Sequence, residues 1–142
     1  MTLPTYVSGL LFTKAHKVVR ARIYSLLEKY DLNPTYWSIL SATLRATEGI
    51  RLAKVASTLG VQAPMITVMA NELIERGLIN RIPHHTDRRA KLLVITPKGK
   101  KLAATIETEL NTAIAELLNG LSTNEIASFQ KTLQMIIANA AE

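Results

Sequence analysis

Apolar residues recur at three- and four-residue steps from Val7 to Leu27, through Leu10, Leu11, Val18, Val19, Ile23 and Leu26, which is the spacing of an amphipathic helix. The pattern stops at Tyr30-Asp31-Leu32. Asn33-Pro34 then reads as a helix start, because asparagine accepts orphan backbone N–H groups and a proline in the first turn gives up a donor that has no partner there. That helix runs through Trp37, Ile39 and Leu40 to the region of Ala46, and Glu48-Gly49 closes it. After a short extended piece at Ile50 to Leu52, a brief helix from Ala53 to Leu59 is stopped by Gly60, and a longer one from Ala63 to Arg76 is stopped by Gly77. Two helices joined by so tight a glycine-containing turn have the spacing of a helix-turn-helix.

Beyond Gly77 the period shortens. Leu78 to Ile82 alternates as a strand does and Lys91 to Thr96 does so less cleanly, and the polar stretch Pro83 to Ala90 between them has the character of an exposed hairpin tip. Thr96-Pro97 opens another helix, whose stripe of Leu102, Ile106, Leu110, Ile114 and Leu117 ends before Gly120. Ser122-Thr123-Asn124-Glu125 is a capping box, and the last helix carries Ile126, Phe129, Leu133, Ile136 and Ile137. The order predicts a mainly α protein with a small β-hairpin wing.

With 142 residues and 48% hydrophobic content, a chain of this size buries roughly 70% of its unfolded surface, enough for one domain with dimerising extensions. The absence of cysteine excludes disulfides, thiolate-held zinc or iron–sulfur sites and thiol redox switching. Lys14, His16 and Lys17 interrupt the first hydrophobic stretch, so neither a signal peptide nor a membrane span is expected, and the expected location is cytoplasmic.

The net charge of +6 is unevenly placed. Between Arg76 and Lys101 eight basic residues face Asp87 alone; residues 1–75 carry eight cations against five acids, and residues 102–142 one against five. A basic middle and an acidic tail imply one surface suited to a polyanion and another suited to something else. A helix-turn-helix needs a helix that fits a major groove roughly 12 Å wide, a bracing helix, and cations placed to meet phosphates. Arg88 and Arg89 sit at the hairpin tip, from which guanidinium groups could reach an adjacent minor groove.

Catalytic chemistry is not legible. Ser25, Ser38 and Ser41 have no identifiable base, and neither a glycine-rich phosphate loop nor an H-E-x-x-H motif occurs. His84, His85 and Asp87 do not make a metal set, since adjacent histidines diverge on a strand. No enzyme, metal or cofactor is expected.

The stretch from Leu59 to Ile79 resembles the recognition region of the MarR family of regulators. Asp87-Arg88-Arg89-Ala90-Lys91, followed by Ile95-Thr96-Pro97-Lys98-Gly99, is similar to that family's Asp-x-Arg wing signature and its Leu-Thr-x-x-Gly sequel, and Leu32, Trp37 and Leu40 resemble the start of its second helix. In element order the resemblance covers residues 4–140. It implies a winged helix-turn-helix homodimer with residues 1–32 as an N-terminal dimerisation helix, 33–96 as the DNA-binding unit and 97–142 as C-terminal dimerisation helices, intertwined as a single domain. Two recognition helices would enter successive major grooves of a pseudo-palindromic operator in double-stranded DNA, the protein acting as a transcriptional repressor.

Residue by residue, the resemblance puts Arg89 in the minor groove with Arg88 and Lys91 beside it, and has Asp87 hold the wing by pairing with a neighbouring basic group. Gln62, Pro64, Met65, Thr67, Val68 and Asn71 would lie along the groove-facing side of the recognition helix, with one of Met65 and Met69 in the core. Many members carry arginine where this chain has Val68 and serine near Pro64, so base readout here is expected to be apolar, through thymine methyl groups, or to follow DNA shape. Relatives release DNA when a small aromatic or anionic molecule enters the crevice beside the dimer arm. His16, Arg20, Tyr24, Tyr36 and Trp37 are the candidate liners, with Tyr36 and Trp37 equally suited to a core or interface. A winged-helix protein–protein module without DNA binding and a dimeric ligand carrier remain alternatives.

Overall fold

The start of the second helix is fixed locally: the Asn33 side-chain oxygen accepts the backbone N–H groups of Thr35 and Tyr36 at 2.9 and 3.0 Å, and Pro34 occupies the first turn. The computed structural model describes residues 5–140. Its elements follow in the order α1 (Thr5–Glu28), α2 (Pro34–Arg45), β1 (Ile50–Arg51), α3 (Leu52–Leu59), α4 (Ala63–Glu75), β2 (Ile79–Pro83), β3 (Lys91–Ile95), α5 (Pro97–Leu117) and α6 (Thr123–Asn139). The Ser122–Glu125 capping box forms in both directions at the start of α6. The extended piece at Ile50 is a third strand. It pairs antiparallel with β3, Ile50 opposite Leu93 and Arg51 opposite Leu92, so β3 lies between β1 and β2.

The core closes where α2, α3, α4, the sheet and α5 meet. Ile39, Leu40, Val55, Ile66, Leu73, Leu78, Ile79, Leu93 and Ile106 are fully enclosed, each burial stabilising by about 1.5–3 kcal/mol. Thr43, the one buried polar side chain among the described residues, donates its hydroxyl to Leu40 O at 2.7 Å. Among the described residues α1 adds Leu26 and Leu27 to this core, with Ile23 packed against it, and α6 buries none of its described side chains. Leu11, Phe129 and Ile137 are 60%, 51% and 71% exposed.

The Thr96-Pro97-Lys98-Gly99 segment ties the end of the sheet to the end of α4. Thr96 Oγ1 donates to Gly77 O at 2.7 Å and accepts the Gly99 N–H at 2.9 Å, while Lys98 Nζ donates to Arg76 O at 2.8 Å. Gly99 is required by close approach, because a Cβ there would stand 2.0 Å from Leu78 O. A second tie joins the end of α4 to the bend between α1 and α2: the Arg76 guanidinium donates to Tyr30 O at 2.7 Å and Asp31 O at 2.9 Å, holding the bend at which Asp31 takes a φ of +52°. The bend also meets α5, where the Tyr30 hydroxyl donates to Glu109 at 2.5 Å. That hydrogen bond, with a smaller desolvation effect, raises the tyrosine pKa above its ordinary value. Among the described residues no single helix is long and apolar enough to cross a membrane.

Candidate nucleic-acid interface

Gly60 ends α3 in the left-handed region at φ +63°, and the chain turns through 117° into α4. Such an angle between two helices is that of a helix-turn-helix. α4 divides cleanly. Ile66, Met69, Ala70 and Leu73 are buried, whereas Pro64, Met65, Val68 and Asn71 are exposed, as is Gln62 just before the helix. Met69 is thus the core residue of the methionine pair. Thr67 is half-buried with its hydroxyl donating to Ala63 O at 3.0 Å, and the Asn71 Oδ1 accepts from Arg81 Nη2 at 2.8 Å.

The wing is β2, β3 and the tip between them. Its turn is self-supporting: Ala90 N donates to Asp87 O, His84 N donates to Ala90 O, and His84 Nδ1 accepts the Thr86 and Asp87 N–H groups at 3.3 and 3.2 Å. Asp87 acts differently from the expectation that it pairs with a basic side chain. Its Oδ1 accepts the Arg89 backbone N–H at 3.0 Å, and the three ion pairs among the described residues do not include it. An aspartate caps its own turn through the nearest amide two residues on, which costs less order than fixing a long cation. Arg88 and Arg89 are exposed at this tip and Lys91 at the foot of β3.

Recognition helix and wing share one surface. Arg51, Leu52, Ala53, Thr67, Arg81, Ala90 and Lys91 line a single groove between β1, α3, α4 and the wing stem. Three of these seven are cations. Arg51 and Arg81 escaped the sequence reading: Arg81 is drawn to α4 by Asn71, and Arg51 Nη2 lies 3.3 Å from His84 Nε2. The signal available for Arg81 was a cation on a strand entering a basic loop.

A second cleft, of about 410 Å³, lies between α1 and α2. His16, Arg20 and Tyr24 line it as expected from the sequence, with Val19, Ile23, Leu59 and Val61 as apolar wall. Arg20 lies over the Tyr24 ring at 5.2 Å and donates to its hydroxyl at 3.0 Å. Tyr36 and Trp37 do not line it. They pack against the core, and Pro34, Thr35 and Ser38 on the next face of α2 take their place. Among the described residues no group of three or more histidines and carboxylates could hold a metal ion.

The sequence of residues 32–91 matches the profile of the MarR family. Residues 32–91 form a MarR-family domain. The whole chain is similar to a MarR-family transcriptional regulator from Rhodococcus sp. RHA1, with 25% identity over 96% of each chain and a TM-score of 0.82. It is also similar to CouR from Rhodococcus jostii RHA1, solved bound to p-coumaroyl-CoA, with 26% identity over 90% of this chain and 89% of that one and a TM-score of 0.79. A mutant MarR from E. coli complexed with operator DNA shares the fold at 19% identity over 96% and 99% of the two chains, with a TM-score of 0.78. The fold shared with these proteins extends beyond the matched segment, over 90–96% of this chain.

Proposed function

We propose that this chain is a transcriptional regulator that binds double-stranded DNA sequence-specifically as a homodimer, without a catalytic step. The observation that carries the reading is the shared groove: Thr67 of the recognition helix and Lys91 of the wing stem open onto one surface, with Arg51 and Arg81 between them and Arg88 and Arg89 at the exposed tip. An exposed helix face with cations along the groove and wing beside it suits a duplex, the helix in the major groove and Arg89 in the adjacent minor groove. That a MarR of like fold is complexed with operator DNA is in keeping with DNA binding. Residues 33–96 act as the DNA-binding unit, and residues 1–32 and 97–142 as dimerisation elements. The support for the latter is the exposed apolar surface of α1 and α6, including Leu11, Phe129 and Ile137.

The cleft at His16, Arg20 and Tyr24 is the reading's effector site, suited to a small anionic aromatic molecule: the tyrosine offers a stacking face and the arginine a cation. CouR's complex with p-coumaroyl-CoA is in keeping with that chemistry. Such a molecule would release DNA as a repressor's inducer does, by preferring the arm spacing that cannot span two grooves.

Binding to duplex DNA is expected to weaken steeply with added salt, since each neutralised phosphate releases counterions. Arg89→Ala should lower affinity across many sequences and flatten the salt slope by about two units, one for each wing of the dimer. Salt-independent binding, or an Arg89→Ala variant that binds as the parent does, would remove the basis for this reading.

A further inference from the structure

The first two turns of α4 offer solvent an almost purely hydrocarbon face. Pro64 is exposed, and Met65 and Val68 are each 58% exposed. The polar side chains of the same helix that could read a base edge are engaged within the chain. Thr67 gives its hydroxyl proton to Ala63 O, and Asn71 has its amide oxygen against the Arg81 guanidinium. Bidentate recognition of adenine by asparagine uses both amide atoms, so Asn71 is not set up for it. Glu72 and Glu75, exposed farther along, are like-charged with phosphate.

A major groove displays donors, acceptors and one apolar group, the C5-methyl of thymine. A helix whose leading face is Pro64, Met65 and Val68 matches that group, while Gln62, exposed at the N-cap without a side-chain cap hydrogen bond, stands before that face. Resting on the DNA-binding reading, we propose that Met65 and Val68 are specificity-determining residues that recognise thymine C5-methyl groups in each half-site. Hydrogen bonds from α4 are secondary. The basic groove beside it, with Arg51, Arg81 and Lys91, supplies affinity that is indifferent to sequence.

The test uses the full chain and duplexes it selects from a random library. Each thymine of a selected site is replaced in turn by deoxyuridine, which removes the methyl and leaves every pairing donor and acceptor in place. At one or two thymines per half-site affinity should fall about fourfold per methyl lost. In Met65→Ala or Val68→Ala the penalty at the matching thymine should vanish. Both side chains are exposed, so both variants should melt as the parent does, which circular dichroism checks. Selected duplexes that tolerate uracil at every position overturn the inference while leaving DNA binding intact. A uracil penalty of the same size in the parent and both variants also overturns it, assigning the effect to duplex shape. If no duplex is selected, the DNA-binding reading fails and the inference falls with it.

Discussion

From α2 to the middle of α5 the large apolar side chains close around Ile39, Leu40, Ile66, Leu73 and Leu93, and Met65 and Val68 are the exposed exceptions. Along α1 and α6 the proportions reverse. Leu10, Leu11, Phe12, Val18, Val19, Phe129, Met135, Ile136 and Ile137 are open to solvent, and the only buried side chains described there are Leu26 and Leu27. Both regions carry the same helical periodicity in sequence. The difference is whether the chain itself supplies the second surface, and that depends on where elements land, not on their pattern. A hydrophobic stripe in the winged region is covered by the chain's own fold; in the terminal helices it stays open to solvent, and the proposed dimerisation rests on it.

The largest effect is expected inside the winged region. Gly99→Ala forces a methyl into Leu78 O, and urea unfolding should report a loss of more than about 3 kcal/mol. A loss below about 1 kcal/mol would mean that the junction of β3, α4 and α5 is not the rigid joint described above. A middle-sized effect is expected at the termini and should read out as mass, not as unfolding of the winged core. The parent should scatter light at twice 15.7 kDa, and Phe129→Ala with Ile137→Ala should weaken self-association by about tenfold or more per side chain. A parent that runs as a single chain at micromolar concentration would erase the contrast.

The smallest effect concerns Glu125. The Ser122 backbone N–H and then the Ser122 hydroxyl stabilise its ionised form and hold its pKa below the ordinary carboxylate value. A depressed carboxyl pKa gives stability that is present above the ordinary value and lost as pH falls through the folded one. Protection of the amides in the first turn of α6, taken relative to the intrinsic exchange rate at each pH, should therefore fall on acidification, and Glu125→Gln should remove that pH dependence while keeping the cap.

Where a boundary is set by neighbours in sequence, it was legible. Asn33-Pro34, Gly60, Thr96-Pro97 and the Ser122–Glu125 box placed the starts and stops of helices to within a residue or two. What depends on distant partners was not. β1 is only two residues long and is a strand because Leu92 and Leu93 lie beside it. Asn71 meets Arg81 across the gap between α4 and β2, so no local pattern announces the pair. The helical phase of α2 turned Tyr36 and Trp37 toward the core and Thr35 and Ser38 toward the cleft, a choice their amphipathic chemistry left open. Of the candidate interface, Gln62, Pro64, Met65, Val68, Asn71 and the wing-tip arginines are exposed as read, whereas Thr67 is half-buried, and the attachment of Asp87 to its own turn and the place of Arg51 and Arg81 in the groove needed the fold.

Helix α4 keeps its obligations apart: Ile66, Met69, Ala70 and Leu73 serve the scaffold, and Pro64, Met65 and Val68 serve only what lies outside. Because no side chain belongs to both sets, the outward positions can be rewritten without renegotiating the interior. Descendants of such a chain could change what this face meets by a few substitutions, with the architecture that presents it left untouched.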